Sequence, residues 1–176
     1  MSTTKWGIDP MHSEVTFKVK HMMISSVSGN FTKFDSAVET TGDDFTTARI
    51  DFSADVNSIS TNNEQRDGHL KAGDFFDAEN HPKLTFTSTK MEKKTDEEYK
   101  LHGNLSLRGV TKPIVLDVEF GGIAKDAYGN TRAGFSLAGK INRKDFGISF
   151  GMVTETGGIV VGDEVKLNMH VQYIKQ

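Results

Sequence analysis

The sequence has 176 residues, of which 36% are hydrophobic and 26% are charged, and this length and balance predict a single globular domain spanning residues 1–176. The absence of cysteine excludes disulfide frameworks and thiolate metal sites, and a net charge of −3 with no basic stripe argues against nucleic-acid binding. No apolar run is long enough to span a membrane, and the polar residues 1–6 lack a signal-like apolar stretch, which favours a cytoplasmic location.

Alternation of polar and apolar residues predicts β-strands along most of the chain. The clear segments, in chain order, are residues 14–20, 27–31, 50–56, 84–86, 101–107, 114–120, 135–141 and 165–173, and the weaker ones are 37–40, 91–93 and 148–152. Turn-forming stretches such as Gly42-Asp43-Asp44 and Arg108-Gly109 separate these segments and predict hairpin connections.

Residues 61–73 depart from this alternation. Thr61 stands three residues before Glu64, as in a capping box, and Gly73 fits a C-terminal cap. These signals predict a short helix near residues 62–72. The apolar pair Phe75-Phe76 follows it, and we expect the helix and this pair to form a lid or plug beside a barrel mouth.

The strand pattern predicts an all-β fold, in which the antiparallel strands pack as a sandwich or close as a barrel of about eight strands, with polar residues outside and apolar residues inside. A barrel of this size is filled by its own side chains or holds one small ligand. The 12 phenylalanines and seven methionines would form an adaptable apolar interior. This composition favours an apolar ligand but is also compatible with an ordinary packed core.

The phase of each strand predicts which side chains would line such a cavity. The inward set is Phe17, Val19, Phe31, Phe52, Phe86, Leu105, Leu116, Val118, Phe135, Leu137, Leu167 and Met169. Met22, Met23, Phe75 and Phe76 would gate the cavity, and Phe146 would lie beside its mouth.

The histidines do not have the spacing of a metal site or a catalytic site. His12 and His21 are an odd number of residues apart and would lie on opposite faces of a strand, and no His-Glu-x-x-His pattern occurs. Asp9, His12 and Ser13 are too close in the chain for a triad and fit a turn that leads into a strand. We therefore predict no metal, no cofactor and no catalytic residue.

Two short polar motifs leave two interpretations open. Arg66 and Asp67 precede Leu70, and Arg143 and Asp145 precede Phe146. These side chains would either meet the head group of a ligand at the barrel mouth or form structural ion pairs that close the end of the barrel.

Together, motifs spread over the whole chain resemble those of the YceI-like family. In chain order they are Asp9-x-x-His12-Ser13-x-Val15-x-Phe17, Ser58-Ile59-x-Thr61, Asp67-x-His69-Leu70, His81-Pro82, Gly109-Val110-Thr111-Lys112-Pro113, Asn142-Arg143-x-Asp145-Phe146-Gly147 and Val161-Gly162-Asp163. The resemblance implies an extended lipocalin-like antiparallel barrel with a long apolar cavity, which in some members binds polyisoprenoid chains or related lipids. It also implies a homodimer, since members of the family often dimerise.

The function predicted from the sequence is binding, sequestration or transport of a long-chain apolar lipid, a polyisoprenoid or a similar molecule. One alternative is a stress-response or interaction protein whose barrel is filled by its own side chains. A second alternative is an enzyme that uses His12, His21 or His69 as acid–base groups.

Overall fold

The computed structural model describes residues 2–21, 25–73, 75–148 and 161–176. The strands within these ranges are β1 (Thr3–Ile8), β2 (Glu14–His21), β3 (Ser25–Phe31), β4 (Phe34–Thr41), β5 (Asp44–Asp55), β6 (Ile59–Ser60), β7 (Lys83–Lys93), β8 (Glu98–Leu107), β9 (Val110–Lys125), β10 (Thr131–Asn142) and β11 (Val161–Lys175). The described part of the chain has one α-helix, α1 (Glu64–Leu70), and 3₁₀ turns at Pro10–His12, Val56–Ser58 and Arg143–Phe146.

The strands form a closed antiparallel barrel. The ring runs in the order β1, β4, β5, β7, β8, β9, β10 and β11, and β11 pairs back onto β1. One edge of β11 has two partners, because Ile8 of β1 pairs with Tyr173, whereas Phe17 of β2 pairs with Leu167. Strands β2, β3 and β6 continue the wall from there. The predicted all-β barrel of about eight strands with one short helix is confirmed.

The inward and outward faces follow the pleat of the strands. On β9, Leu116 and Val118 are buried, whereas Asp117 between them points outward and contacts Lys100 on β8. This alternation is what the sequence pattern predicts for a sheet with one face in water. The buried residues of all the ring strands form one hydrophobic cluster inside the barrel.

The strands also contain irregularities that the alternation does not predict. The β4–β5 register shifts between Glu39 and Thr41, and the β7–β8 register shifts between Ser88 and Lys90. Each shift reverses the phase of the side chains, because successive residues of a strand face opposite sides. As a result Phe45 and Met91 are buried inside the barrel.

The N-terminal strand β1 was absent from the sequence prediction. Residues Thr3–Ile8 pair with both β4 and β11, and Trp6 is only 1% exposed. A single buried tryptophan among polar neighbours gives too few apolar positions for alternation to be recognised.

The predicted caps of the helix were wrong. Asn63 is the N-cap, since its side-chain oxygen accepts a hydrogen bond from the backbone N–H of Arg66 at 3.0 Å. The Thr61 hydroxyl instead donates to Asp67 Oδ1 at 2.5 Å and cannot cap the helix. The helix ends at Leu70 with Lys71 in a right-handed conformation as its C-cap, so Gly73 lies beyond it.

Candidate ligand-binding cavity

The barrel encloses a cavity of about 200 Å³. Its walls come from β2, β3, β4, β5, β7, β8, β9, β10 and β11 together with the segment around α1. An apolar cavity of about 150 Å³ lined by Leu, Ile and Phe stays dry and binds small hydrocarbons. The interior of this barrel is therefore suited to an apolar ligand.

Among the described residues of the cavity wall, the polar side chains are Thr16, Arg143 and Tyr173. The Thr16 hydroxyl donates to the backbone oxygen of Asn168 at 2.6 Å, and the Tyr173 hydroxyl is 2.9 Å from Ser36 Oγ. Burial raises the pKa of Tyr173 to about 12, so its hydroxyl is neutral. These two hydroxyls already have hydrogen-bond partners, and Arg143 is the one charged residue of the wall within the described ranges.

Most of the predicted cavity residues do line the cavity. They are Phe17, Val19, Phe31, Phe52, Phe75, Phe76, Phe86, Leu105, Leu116, Val118, Phe135, Leu137, Leu167 and Met169. Contact between these side chains and a ligand stays a prediction. Met22 and Met23, the predicted gate residues, lie outside the described residues.

Phe146 does not lie beside the mouth of the cavity, where the sequence predicted it. It is 1% exposed and belongs to the packed core, outside the cavity wall. The 3₁₀ turn Arg143–Phe146 contacts β9, β10 and β11, so Phe146 serves as the buried anchor of this turn. The neighbouring Arg143 lines the cavity instead.

One end of the cavity is closed by packed aromatic rings. The Phe45 ring centroid lies 5.2 Å from that of Trp6, 5.3 Å from that of Phe120 and 5.0 Å from that of Phe135. Trp6 Nε1 donates to Thr40 Oγ1 at 3.0 Å, which satisfies the buried indole. We call Trp6, Phe45, Phe120, Phe135 and Tyr173 the aromatic cluster.

The other end has looser apolar contacts. Phe17, Leu70, Ile141 and Leu167 line the cavity there but are only partly buried. A Cβ at Gly29, opposite Phe17 on β3, would lie 2.4 Å from the Phe17 ring, so this glycine makes room for the ring. We call this end the mouth.

The segment around α1 contributes to the mouth. Leu70, Phe75 and Phe76 all line the cavity, and the Phe76 ring meets Phe31 edge-on at 6.2 Å. The His69 ring packs edge-on against Phe75 at 5.0 Å. The predicted lid therefore lies against the cavity, although whether it opens stays a prediction.

Arg66 and Asp67 hold α1 in place. Asp67 Oδ1 accepts hydrogen bonds from the backbone N–H and the hydroxyl of Thr61, and Arg66 donates to the hydroxyl and the backbone oxygen of the same residue at 2.8 Å each. These contacts support the structural interpretation of this motif. Asp145 is exposed and outside the cavity wall.

A contact that the sequence did not reveal joins the lid to the 3₁₀ turn Arg143–Phe146. Arg108 has a φ of 52° and Gly109 a φ of 75°, and together they form the β8–β9 turn. From this turn Arg108 Nη1 donates to the backbone oxygen of Gly147 at 2.6 Å, and Nη2 donates to that of Gly73 at 2.7 Å. Arg108 thus fastens two loops at the mouth.

Arg132 ties together polar groups near the aromatic cluster. It donates to Asp9 Oδ2 and Asp126 Oδ2, both at 2.7 Å. The Arg132 hydrogen bond is the main reason that the pKa values of Asp9 and Asp126 both fall to about 2. Asp9 also accepts from the backbone N–H of Met11, as expected for a turn that leads into a strand.

The histidines with described side chains lie outside the cavity wall. His12 is 2.7 Å from Asp9, and His102 is 3.4 Å from Glu92. Across the ranges that the structure describes, there is no group of three or more His, Asp or Glu placed to hold a metal ion. No helix in the described ranges is long and apolar enough to cross a membrane.

Comparisons with known proteins agree with this geometry. The family model for the YceI-like domain matches residues 6–173. A UPF0312 protein of Staphylococcus aureus (strain N315) is 39% identical to the chain over 171 residues, which cover 97% of each protein. The crystal structure of the Campylobacter jejuni YCEI protein aligns with a TM-score of 0.77 and 38% identity, and covers 89% of this chain and 90% of that one.

The same fold occurs in a more distant protein. The structure of a polyisoprenoid binding domain from Saccharophagus degradans aligns with a TM-score of 0.74, covering 97% of this chain and 98% of that one. The two sequences are 15% identical, so this likeness is one of fold.

Proposed function

Since the chain belongs to the YceI-like family, we propose that it binds a long-chain apolar lipid, a polyisoprenoid or a similar molecule, and sequesters or transports it. The observation that carries the proposal is the apolar cavity of about 200 Å³ inside the barrel. The fold shared with the polyisoprenoid binding domain of Saccharophagus degradans supports this class of lipid.

The energetics favour a long chain. Each methylene group removed from water contributes about 0.8 kcal/mol, and ordering the chain offsets part of this gain. Phenylalanine rings and the flexible Met91 and Met169 side chains border the cavity and can adapt to a branched tail. We place the end of the tail against the aromatic cluster, where Phe45 and Phe135 line the cavity.

The cavity also counts against a barrel filled by its own side chains, which was the main alternative. The enzyme alternative gains no support from His12 or His69, which lie outside the cavity wall. A homodimer and a cytoplasmic location stay predictions.

The test compares one inward substitution with one outward substitution on the same strand. Val165 lines the cavity and pairs with Val19, whereas the adjacent Lys166 is exposed. Native mass spectrometry with geranylgeraniol should show one bound lipid on the wild type. Val165→Trp should weaken binding at least about tenfold because the indole occupies the cavity, and Lys166→Trp should bind like the wild type.

Two results would contradict the proposal. One is a wild-type protein that binds no prenyl alcohol, whatever the chain length. The other is a folded Val165→Trp protein that binds as well as Lys166→Trp, because the lipid would then lie outside the barrel.

A further inference from the structure

Three lysines lie side by side on the outer face of the barrel, across three neighbouring strands. In the register of the sheet, Lys166 on β11 stands directly opposite Lys18 on β2 and directly opposite Lys140 on β10. All three side chains are exposed. We call Lys18, Lys140 and Lys166 the lysine row. The sequence does not reveal it, because its members come from separate strands that only the fold brings together.

Neighbouring carboxylates compensate the charges of the lysine row poorly. Within the described ranges, neither Lys18 nor Lys166 forms an ion pair. Lys140 Nζ lies 4.0 Å from Glu164 Oε1, and both side chains are more than half exposed, so this contact is weak. Like charges that stand directly opposite each other on a sheet are destabilising. The row therefore carries a cost in stability, although the net charge of the whole chain is −3.

The lysine row crosses an open groove on the outer face of the sheet. Besides the row, the groove is lined by a fourth lysine, Lys100, and by Val115, which is 48% exposed. Among its described lining residues the carboxylates are Glu14 and Asp117. Asp117 contacts Lys100, and Glu14 stands opposite His170 rather than opposite a lysine. The groove therefore has an excess of positive charge with an apolar side chain beside it.

The lysine row lies on the outside of the wall whose inside forms the mouth. Phe17, Ile141 and Leu167 line the cavity at the mouth and are only partly buried. Each of them is next in sequence to one member of the row. Since successive residues of a strand face opposite sides, the lysines point outward where these apolar side chains point inward. A surface that contacts the row is therefore close to the end of the cavity that has the looser apolar contacts.

We propose that the lysine row docks the barrel on the surface of an anionic lipid bilayer, with the mouth beside the lipids. A negative bilayer surface attracts each nearby lysine, and the attraction decays over about 10 Å at 0.1 M salt. The lysine row presents three such charges to one plane, and Val115 adds an apolar contact beside them. This docking goes beyond the proposed function, because it requires no ligand in the cavity.

Sedimentation of the full chain with two kinds of vesicle tests the docking. One kind is pure phosphatidylcholine, and the other contains about 30% phosphatidylglycerol, which makes its surface negative. At low salt the wild type should bind the anionic vesicles at least about tenfold more tightly than the neutral ones. The preference should disappear at about 0.5 M salt, because screening then shortens the range of the attraction. A variant with Lys18→Gln, Lys140→Gln and Lys166→Gln should bind both kinds alike.

A second triple variant is the matched control. Lys5→Gln, Lys90→Gln and Lys125→Gln remove the same amount of positive charge from exposed positions on β1, β7 and β9. Like Lys18 and Lys166, these lysines form no ion pair with any described residue. The control variant should keep the preference of the wild type for anionic vesicles, apart from a small loss due to its lower net charge.

Three outcomes would overturn the proposal. The first is a wild type that binds the two kinds of vesicle equally or binds neither. The second is equal binding of the two triple variants to anionic vesicles. The third is a lysine row that promotes binding to a single-stranded DNA oligonucleotide, or self-association in sedimentation velocity, without binding to vesicles. The vesicles contain no prenyl lipid, so each of these outcomes leaves the proposed function of the cavity to be decided by its own test.

A second measurement checks the uncompensated charge directly, without vesicles. Lys166→Gln removes the lysine that stands between the other two, so at low salt it should raise the thermal midpoint by about 1–4 °C. Lys125→Gln, at a position opposite the uncharged Thr131, should leave the midpoint unchanged. If Lys166→Gln does not raise the midpoint more than Lys125→Gln does, the row is already compensated and the proposal loses its basis.

Discussion

Apolar side chains are packed and buried to different degrees at the two ends of the barrel. At the aromatic cluster, Trp6, Phe45 and Phe135 are buried and pack ring against ring at 5.0–5.2 Å. At the mouth, Phe17 and Leu167 line the same cavity but are only partly buried. The first end resembles an ordinary protein core, whereas the second keeps apolar surface that its own neighbours do not cover.

The two ends therefore contribute differently to the stability of the protein and to ligand binding. Close packing contributes stability, because each buried ring removes a large area from water and makes many dispersion contacts. Partly covered apolar side chains contribute less stability but leave free energy to be gained when a ligand covers them. A binding barrel needs both, so mutations at the two ends should have different consequences.

The largest effect is expected for Phe135→Ala. Phe135 packs against Phe45, Phe120 and Tyr173, so its removal should lower the free energy of unfolding by about 3–5 kcal/mol. Leu167→Ala at the mouth should cost about 1–2 kcal/mol, since the side chain is partly buried. Urea unfolding curves measure both. Equal losses would show that the two ends are packed alike.

A smaller effect is expected for Arg108→Asn, which tests whether the mouth opens. Asparagine tolerates the positive φ of 52° at this position but cannot hold Gly73 and Gly147 together. We expect a bound prenyl chain to dissociate about three- to tenfold faster, with little change in the free energy of unfolding.

Stopped-flow displacement of a fluorescent prenyl analogue measures the rate for Arg108→Asn. The buried Arg108 Nε has no hydrogen-bond partner among the described residues. This lowers the free energy needed to separate Arg108 from Gly73 and Gly147, because Nε gains water as a partner when the loops part. An unchanged dissociation rate would mean that the ligand leaves without separating these two loops.

The smallest effect is a pH dependence at the end that carries the aromatic cluster. The pKa values of Asp9 and Asp126 fall from 3.8 to about 2 in the folded protein because Arg132 donates to both carboxylates. A lowered folded-state pKa gives stability that is complete above the unfolded value and is lost as the pH falls through the folded value. The thermal midpoint should therefore drop between about pH 4 and pH 2.

Substitution of Arg132 tests the origin of that drop. Arg132→Gln should lower the midpoint at neutral pH and flatten its fall in acid. Lys83→Gln removes an exposed ion pair with Asp55 at 3.7 Å and should keep the wild-type profile. If the Arg132→Gln protein has the same acid profile as the wild type, the pH dependence does not come from the ion pairs of Arg132 with Asp9 and Asp126.

The sequence predicted the fold and the direction of most apolar side chains because alternation reports the pleat directly. Leu116, Val118 and Leu137 were assigned to the cavity in this way and do line it. Phe45 and Met91 were missed because register shifts change the phase of β5 and β7 partway along. A bulge depends on pairing with a neighbouring strand, which one sequence does not display.

The polar residues were harder to assign from the sequence. The motif with Arg66 and the motif with Arg143 looked equivalent, yet Arg66 bonds to Thr61 beside the helix, whereas Arg143 reaches the cavity wall. Their roles depend on which oxygen atoms the fold brings near, which are those of Thr61 for Arg66 and those of Ile148 and Gly162 for Arg143. Arg108 stands in an ordinary turn sequence, and no neighbouring residue predicts its hydrogen bonds to Gly73 and Gly147.

The pairing that closes the ring has a consequence for how the protein is made. Trp6 of β1 lies opposite Lys175 of β11, so the barrel is sealed by strands from nearly opposite ends of the sequence. Contacts at such long sequence separation carry a high loop-closure entropy and slow the folding of β-proteins. During synthesis β1 can already pair with β4, but the ring closes only after β11 has left the ribosome. Until then the phenylalanines of the future cavity stay accessible to chaperones, and to misassociation with other chains.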